Sequence, residues 1–382
     1  MDSAIVVGAG TFGASLAWLM ARAGIAVTLI DQFEPGDARA SSGGESRLYR
    51  CSHGAAEDYT RMARRGRELW RELEAETRTE LLLERGVAWF AHREDGWEAA
   101  SERTLRACEI PVERLEPAAA AARFPSFAGD DLAFVVLEPE AGAIRAAAAV
   151  RALVAAGRAE GVHFKRGRAT PRAGGVELDD EAGTRLEAGI VAWACGGWLR
   201  ELFPGLVTLR TTRQELLFFD GGPAWAQPSV PCWVDYDLAA YGTSDIDDLG
   251  VKAAPDVEGP PLDPDAPLPD TSPEGEAQAR AYLRRRFPAL AGAPLRGGRC
   301  CRYELTADSN FIAAPHPAEE GVWIVGGGSG HGFKHGPAMA ERVVAAIRGA
   351  GTLPEAFGLH ERRPARSLRT AGSSATVLRR DR

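Results

Sequence analysis

A glycine-rich loop near the N-terminus constrains the fold of this chain more than any other feature. Gly8, Gly10 and Gly13 follow a short apolar run, residues 4–7, and precede a helical pattern over residues 14–23. In a β-α-β unit the first glycine permits a tight turn, the second lets a pyrophosphate approach the main chain, and the third lets helix and strand pack closely. The N–H groups at the start of the helix then face the phosphates. The loop therefore predicts a dinucleotide-binding unit.

An acidic residue at the end of the next strand strengthens this prediction. Residues 27–30 read as a second buried strand, and Asp31 follows directly, 18 residues beyond Gly13 (31 − 13). That spacing suits a carboxylate that accepts hydrogen bonds from the adenosine ribose hydroxyls. A glycine turn that binds no ligand is the alternative, and the strand–loop–helix–strand context disfavours it. The loop alone does not separate FAD from NAD.

Composition excludes several other classes of protein. The 382 residues suffice for two domains, and the net charge of −8 disfavours a nucleic-acid partner. No run of about 20 apolar residues predicts a membrane span, and the first residues lack the pattern of a signal peptide, so we expect a cytoplasmic protein. The six scattered cysteines are expected to be thiols. The seven histidines show no spacing that suits a metal site, and no metal is expected.

Further elements follow from periodicity and turn residues. Residues 253–275, rich in Pro and Asp, predict a surface loop. Arg284, Arg285 and Arg286 predict a solvated helix face. We expect residues 361–382 to form a disordered tail, since they are basic and polar without an apolar period. The other predicted helices are residues 57–76, 146–156 and 337–348, and the other predicted strands are residues 86–91, 162–164, 189–194 and 322–325.

Three further segments could carry chemistry. The polar loop 41–50 presents Arg47 and Arg50, whose guanidinium groups suit a carboxylate or a phosphate. A solvated loop is the alternative there. For the adjacent thiols at 300–301 the alternative is a buried, inert cysteine. Residues 329–334 follow a strand and contain two glycines that allow close approach to a flat ligand, or they simply cap a helix.

Taken together, these segments resemble the monomeric sarcosine oxidase and N-methyltryptophan oxidase family of D-amino-acid-oxidase-like flavoproteins. The resemblance runs from the N-terminus to about residue 350. Residues 329–334 read Ser-Gly-His-Gly-Phe-Lys, which is the family's motif letter for letter. Cys301 and Tyr303 match its Cys-x-Tyr pattern, with Thr306 and Asp308 in step. Motifs far apart in sequence thus recur in the family's order.

The resemblance implies that the dinucleotide is FAD, joined to Cys301 by an 8α-S-cysteinyl thioether. Lys334 and Arg50 are implied to hold the carboxylate of the substrate. Tyr241, with Lys252 eleven residues later (252 − 241), matches the family's Tyr-Gly strand and the lysine that activates dioxygen. The predicted cofactor-binding residues are Gly8, Gly10, Gly13, Asp31, Ser42, Arg47, Gly196, Trp198, Cys301, Gly330, His331, Gly332 and Lys334. The predicted catalytic residues are Lys252, Arg50, Lys334, Tyr241 and Asp256.

Two departures from the family concern the substrate pocket. Residues 42–45 read Ser-Gly-Gly-Glu where sarcosine oxidases have His-His-Gly-Asp, and Asp256 replaces an active-site histidine four residues after the oxygen lysine. Both changes disfavour sarcosine itself as the substrate. Asp245, Asp247 and Asp248 form either a solvated turn or a site for a second amine of the substrate.

The predicted fold is α/β, a Rossmann-type FAD-binding domain with an inserted mixed-sheet substrate domain. Residues 1–84, 145–205 and 300–360 are assigned to the first domain, and residues 85–144 and 206–299 to the second. The predicted function is oxidation of a small amino acid, or an N-methyl or cyclic one, to an imine, with O2 reduced to H2O2 by a monomeric enzyme. The alternatives are a dehydrogenase with another acceptor, a desaturase of a cyclic imino acid, and a non-catalytic flavoprotein subunit.

Overall fold

The computed structural model describes residues 2–363, which form eight α-helices and twenty β-strands. The helices are α1 (Thr11–Arg22), α2 (Glu57–Thr77), α3 (Trp97–Ala107), α4 (Pro117–Ala120), α5 (Ala146–Ala159), α6 (Leu199–Leu202), α7 (Pro273–Arg286) and α8 (Gly336–Ile347). The strands are β1 (Ser3–Val7), β2 (Ala26–Asp31), β3 (Ser46–Tyr49), β4 (Leu82–Leu83), β5 (Val87–Ala91), β6 (Glu113–Leu115), β7 (Phe134–Glu138), β8 (Gly142–Arg145), β9 (His163–Arg166), β10 (Ala169–Arg172), β11 (Gly175–Leu178), β12 (Arg185–Glu187), β13 (Ile190–Trp193), β14 (Arg210–Phe219), β15 (Cys232–Asp235), β16 (Ala240–Thr243), β17 (Val251–Pro255), β18 (Leu295–Leu305), β19 (Ile312–Pro315) and β20 (Val322–Gly326).

A six-stranded sheet of order β19-β20-β13-β1-β2-β9 contains the N-terminal strand–loop–helix unit. Its pairs are parallel except for β19 with β20. The parallel strands are apolar because helices and neighbouring segments cover both faces of such a sheet. Helix α1 packs against α5 and α8, and its buried residues form a continuous core with those helices. The predicted β-α-β unit is confirmed.

An eight-stranded mixed sheet, of order β18-β14-β17-β16-β15-β5-β7-β6, forms the second body of the fold. All its pairs are antiparallel except β15 with β5. A separate aromatic core, with Phe90, Trp225, Trp233 and Phe287, packs beneath it and holds α7 in place. The predicted α/β architecture with a mixed second sheet is therefore confirmed.

A small sheet of order β3-β8-β4 positions the arginine loop. Strand β3 pairs antiparallel with β8, in a register that sets Ser46 opposite Arg145 and Tyr49 opposite Gly142. Gly142 has φ +159°, and a Cβ there would lie 1.9 Å from the carbonyl oxygen of Leu83. The close approach of three backbones thus requires glycine, and Arg50 emerges directly after this fixed strand.

Three local predictions need correction. Of the predicted loop 253–275, residues 253–255 belong to β17 and residues 273–275 begin α7. Arg286 is fully buried instead of solvated, because it pairs with Asp131 and with Asp235, which come from distant segments. Most of the predicted tail lies outside the described residues. Among the tail residues that the structure describes, Arg362 pairs with Asp308 at 2.9 Å, and its side chain is nearly buried.

The domain ranges stay a prediction. The predicted boundary at residue 300 falls inside β18, which pairs with β14 along its length. Within residues 2–363, no helix combines the length and the apolar character needed to cross a membrane.

Candidate active site

A large cavity of about 320 Å³ opens at the carboxyl ends of β1, β2 and β13. Ligands of open parallel sheets bind at this edge, outside the ends of the strands. Its lining includes the following predicted cofactor-binding residues: Gly8, Gly10, Asp31, Ser42, Arg47, Gly196, Trp198, Gly330 and Gly332. The structure thus brings together residues predicted from five separate segments of the chain.

The glycines of the first loop serve packing as well as ligand approach. A Cβ on Gly8, which has φ +101°, would lie 2.4 Å from the carbonyl oxygen of Ala194. A Cβ on Gly13 would lie 1.8 Å from the carbonyl oxygen of Gly8, so Gly13 sits behind the loop and does not line the cavity. Gly10 is different because a Cβ there would meet Ser42 Oγ at 3.2 Å, on the cavity side. The loop is therefore held close to the helix and keeps its backbone open to a ligand.

Two polar side chains complete this end of the large cavity. The N–H group of Thr11, at the start of α1, donates to Ser42 Oγ at 3.0 Å. Asp31 accepts hydrogen bonds from the N–H groups of Ala9 and Phe33 at 2.6 and 2.7 Å. Burial raises the pKa of Asp31, although these two bonds oppose the shift by favouring the carboxylate. The carboxylate is thus oriented at the edge where a ribose would lie.

Arg47 shapes the middle of the cavity. One of its Nη atoms donates to the carbonyl oxygens of Ser41 and Gly43, at 2.7 Å each, and the other donates to the carbonyl oxygen of Ser46. The guanidinium group therefore closes the loop on itself and still lines the cavity. The cavity fits the FAD that the resemblance implies, because it combines these contacts with the accessible backbone of the glycine loop and the oriented carboxylate of Asp31.

Glu304 is a half-buried residue of this cavity that was not predicted from the sequence. It accepts hydrogen bonds from Ser41 Oγ at 2.8 Å and from the N–H group of Gly328 at 3.3 Å. Burial raises its pKa. Its position next to Tyr303, in the segment that matches the Cys-x-Tyr pattern, is the sequence feature that could have identified it as a site residue.

A small cavity of about 70 Å³ adjoins the large one and shares Arg47, Tyr303, Gly330 and Phe333 with it. All five predicted catalytic residues line it: Arg50, Tyr241, Lys252, Asp256 and Lys334. His331, predicted to bind the cofactor, lines this cavity instead of the large one. Sites of this kind combine an enclosed space with a few convergent polar groups.

Arg50 is held rigidly at the wall of the small cavity. Its side chain donates to the hydroxyl of Tyr236 at 3.0 Å and to the carbonyl oxygen of Ser52. The guanidinium carbon lies 5.1 Å from the ring centre of Trp89 and 5.9 Å from that of Trp97. A guanidinium group stacked on aromatic faces and bonded at its edges keeps one orientation. Arg50 is thus a preorganised donor to an anion.

Lys334 lines the same cavity and comes from the segment between β20 and α8. Its Nζ donates to the carbonyl oxygen of His331 at 2.8 Å, and its own carbonyl oxygen accepts from Trp70 Nε1 at 2.9 Å. Burial, reinforced by the charge of Arg50, lowers the pKa of Lys334 well below its ordinary value. An anionic ligand between these two residues would favour the charged lysine.

Lys252 is buried and lines the small cavity. Its Nζ donates to Ser46 Oγ at 2.9 Å and to the carbonyl oxygen of Ser46 at 3.2 Å. Burial lowers its pKa to about 7, and the charge of Arg47 adds to the shift. At neutral pH this lysine can therefore carry or lose its proton.

The two adjacent cysteines lie on opposite faces of β18. Cys301 packs with Leu216, Phe218 and Ala254, and burial raises its pKa. The Sγ of Cys300 instead lies 3.5 Å from the carbonyl oxygen of Asp270, on the other face. Within residues 2–363, Cys301 is not among the residues that line either cavity. It does share its packing cluster with Tyr241 and Tyr303, which line the small cavity.

Three buried histidines, of which His331 lines the small cavity, form a cluster that was not predicted from the sequence. His53, His331 and His335 each place a ring nitrogen within 4.8 Å of the others, and the Nε2 atoms of His53 and His335 lie 3.2 Å apart. Burial and the charge of Lys334 lower the pKa of all three, so the rings are neutral. The cluster joins the segment after Arg50 to the turn that carries Lys334.

The acidic residues after β16 lie away from the site. Asp247 pairs with Arg145 at 2.7 Å, and Asp248 pairs with Arg296 at 2.8 Å. Asp245 is buried and accepts from the N–H group of Gly250. None of the three lines either cavity, so a solvated turn describes Asp247 and Asp248.

Comparison with known proteins agrees with this geometry. The family model described as FAD dependent oxidoreductase matches residues 3–346. Monomeric sarcosine oxidase of Bacillus sp. (strain B-0618) is 27% identical over 356 residues, 88% of this chain and 90% of that protein. N-methyl-L-tryptophan oxidase of Yersinia pestis (strain Pestoides F) is 28% identical over 356 residues, 90% of this chain and 93% of that protein. Fructosyl peptide oxidase from E. terrenum shares the fold, with a TM-score of 0.81 at 20% identity, covering 97% and 95% of the two chains. Because the family model spans most of its length, the chain belongs to the FAD dependent oxidoreductase family.

Proposed function

We propose that this protein is an amine oxidase that converts the C–N bond of a small amino acid, or of an N-methyl or cyclic one, to an imine, with O2 reduced to H2O2. The observation that carries the proposal is that Arg50 and Lys334 both line the small cavity, which adjoins the large one. The relatives named sarcosine oxidase and N-methyl-L-tryptophan oxidase support it. We also propose a monomer, as the name of the first relative says of that protein.

In this proposal Arg50 and Lys334 bind the substrate carboxylate. Arg50 is fixed by Tyr236, Ser52 and two indole rings, so it loses little conformational entropy on binding. Pairing the carboxylate at two points orients the neighbouring C–H bond, which turns binding energy into a reactive geometry. FAD bound in the large cavity would accept the hydride and pass its electrons to dioxygen.

Lys252 is proposed to assist the reduction of dioxygen. It lines the small cavity, which adjoins the large one, and its charge would stabilise the negative charge that develops on oxygen. Because its pKa is about 7, Lys252 loses its proton near neutral pH. We therefore expect this assistance to weaken as the pH rises.

Cys301 is proposed to hold the FAD covalently. Support comes from the Cys-x-Tyr motif and from its place in one packing cluster with Tyr241 and Tyr303, at the edge of the small cavity. Cys300 faces away from that cluster, which makes it a matched control.

The test is a screen of the purified yellow holoenzyme for peroxide. The panel pairs amino acids, N-methyl amino acids and cyclic imino acids with the corresponding amines that lack the carboxylate. We expect peroxide, equal in amount to the imine-derived product, from the carboxylates alone. Turnover with an artificial acceptor but without peroxide would instead indicate a dehydrogenase. If no amino acid bleaches the flavin without oxygen, the proposed function is wrong.

A further inference from the structure

The small cavity contains a single carboxylate among several basic groups. Within the described chain, the charged residues that line it are Arg47, Arg50, Lys252, Lys334 and Asp256. Asp256 is 7% exposed, so its carboxylate lies inside the protein. A buried carboxylate interacts with charge more strongly than one in water, because the local dielectric is low. The cavity therefore has one point that attracts a cation.

Strand geometry separates this point from Lys252. Asp256 follows β17 directly, and its N–H group donates to the carbonyl oxygen of Ala239 at 2.6 Å, which continues the strand pairing. Residues 252, 254 and 256 therefore face the same side, and both Lys252 and Asp256 line the cavity. Four residues of strand separate their Cα atoms by about 13 Å. Asp256 and Lys252 thus enter the cavity from two well-separated points of one extended segment.

The other acids near this sheet do not compete for the same role. Asp247 and Asp248 pair with surface arginines, and Asp245 binds a backbone N–H group. Asp256 also interacts within the protein. A ligand cation would add to that contact or exchange with it.

We infer that the substrate is an amino acid that carries a second positive group, an ammonium or a guanidinium, which pairs with Asp256 while Arg50 and Lys334 hold its carboxylate. This inference rests on the proposed function. A substrate with an acidic end would bring a like charge next to Asp256, and one with an apolar end would gain no interaction with it, so the same residue disfavours those compounds.

The experiment uses matched substrate pairs with the holoenzyme. L-lysine, L-ornithine, L-arginine and their N-methyl derivatives are compared with the neutral analogues L-norleucine, L-norvaline and L-citrulline. Anaerobic flavin bleaching gives the dissociation constant and the reduction rate for each compound. A charge-assisted hydrogen bond contributes about 1.5–3 kcal/mol, so we expect the cationic member to bind about 10- to 150-fold more tightly, with a similar limiting rate of reduction.

The variant Asp256→Asn removes the charge and keeps the shape. It should abolish the preference by raising the dissociation constant of the cationic compounds alone. Asp256→Lys should reverse the preference towards amino acids with a second carboxylate. Asp248→Asn is the matched control, because Asp248 pairs with Arg296 at the surface and should leave the preference unchanged. The flavin spectrum and the melting temperature report whether each variant is folded.

The outcomes separate the two proposals. If the wild-type enzyme oxidises neutral amino acids as well as cationic ones, the inference about Asp256 is wrong and the amine oxidase proposal stands. Retention of the cationic preference in folded Asp256→Asn likewise overturns it. If no amino acid of any charge reduces the flavin, the proposed function fails, and the inference fails with it.

Discussion

Replacement of Lys252 by methionine tests the buried lysine quantitatively. Burial lowers the pKa of this side chain from its ordinary 10.5 to about 7. At 1.36 kcal/mol for each pH unit, the difference of 10.5 − 7 corresponds to about 5 kcal/mol by which folding disfavours the charged lysine. Methionine has a similar shape and carries no proton, so Lys252→Met removes this cost. It also removes two hydrogen bonds to Ser46, which contribute about 1 kcal/mol each.

The sign of the effect depends on pH. The pKa of Lys252 is lower in the folded state than in the unfolded state, so between pH 7 and 10.5 the unfolded chain binds a proton that the folded chain has lost. The free energy of unfolding of the wild type therefore rises with pH across this window. Below pH 7 we expect Lys252→Met to be more stable than the wild type by about 3 kcal/mol. Near pH 10.5 the order should reverse, because only the lost hydrogen bonds remain.

Two measurements check this reasoning. Urea unfolding of the holoenzymes at pH 6, 7.5, 9 and 10 gives the difference in stability, and Lys165→Met, at a site closer to the surface, controls for the substitution itself. Stopped-flow mixing separates flavin reduction from its reoxidation by oxygen. Reoxidation of the wild type should slow as pH rises through about 7, whereas in Lys252→Met it should be slow at every pH with reduction largely kept. A stability difference that does not change with pH would refute the buried-charge argument. Equal damage to both half-reactions would refute the role in oxygen reduction.

The remaining predictions concern the cofactor and the carboxylate site. Cys301→Ser should release the flavin into the supernatant after acid precipitation, whereas Cys300→Ser should leave it in the pellet; retention in Cys301→Ser would exclude the thioether there. Arg50→Lys should raise the dissociation constant of carboxylate substrates about 10-fold or more, because the rigid fork of donors is lost; unchanged binding in anaerobic titration would contradict this. Gly13→Ala should lose FAD content and melt at lower temperature, because its Cβ would lie 1.8 Å from a backbone oxygen, whereas Gly24→Ala meets no neighbour and should cost only the strain of its φ of +82°, about 1 kcal/mol.

The parts of this fold that the sequence predicted well are those decided locally. Strand β1, the glycine loop, helix α1 and strand β2 follow from apolar runs and from glycines within about 30 residues. Asp31 could be placed because it ends a strand at a known spacing. The segment 329–334 was found for the same reason, since its glycines and lysine follow a strand directly.

The features that the sequence did not predict depend on partners far along the chain. Arg286 looked like part of a solvated face, yet Asp131 and Asp235 pair with it from more than 50 residues away. The Nε2 atoms of His53 and His335 lie 3.2 Å apart although the residues are 282 positions apart in sequence, and no sequence pattern predicts this contact. A charged or polar side chain is buried only where partners satisfy it. Because those partners are distant in sequence, the sequence alone does not show which of these side chains are buried.

The short strand β3 links the three parts of the proposed site. Ser46 at its start accepts the hydrogen bonds of Lys252, Arg47 within it lines the large cavity, and Arg50 just beyond its end lines the small one. Its register against β8 is therefore critical, since a slip by one residue would turn every side chain to the opposite face. Before it, Glu45 pairs with Arg299 of β18 at 2.7 Å, which ties this end of β3 to the strand that carries Cys301. The changed residues 42–45 can thus alter the loop in front of the site, while the strand that positions the lysine and both arginines stays in place.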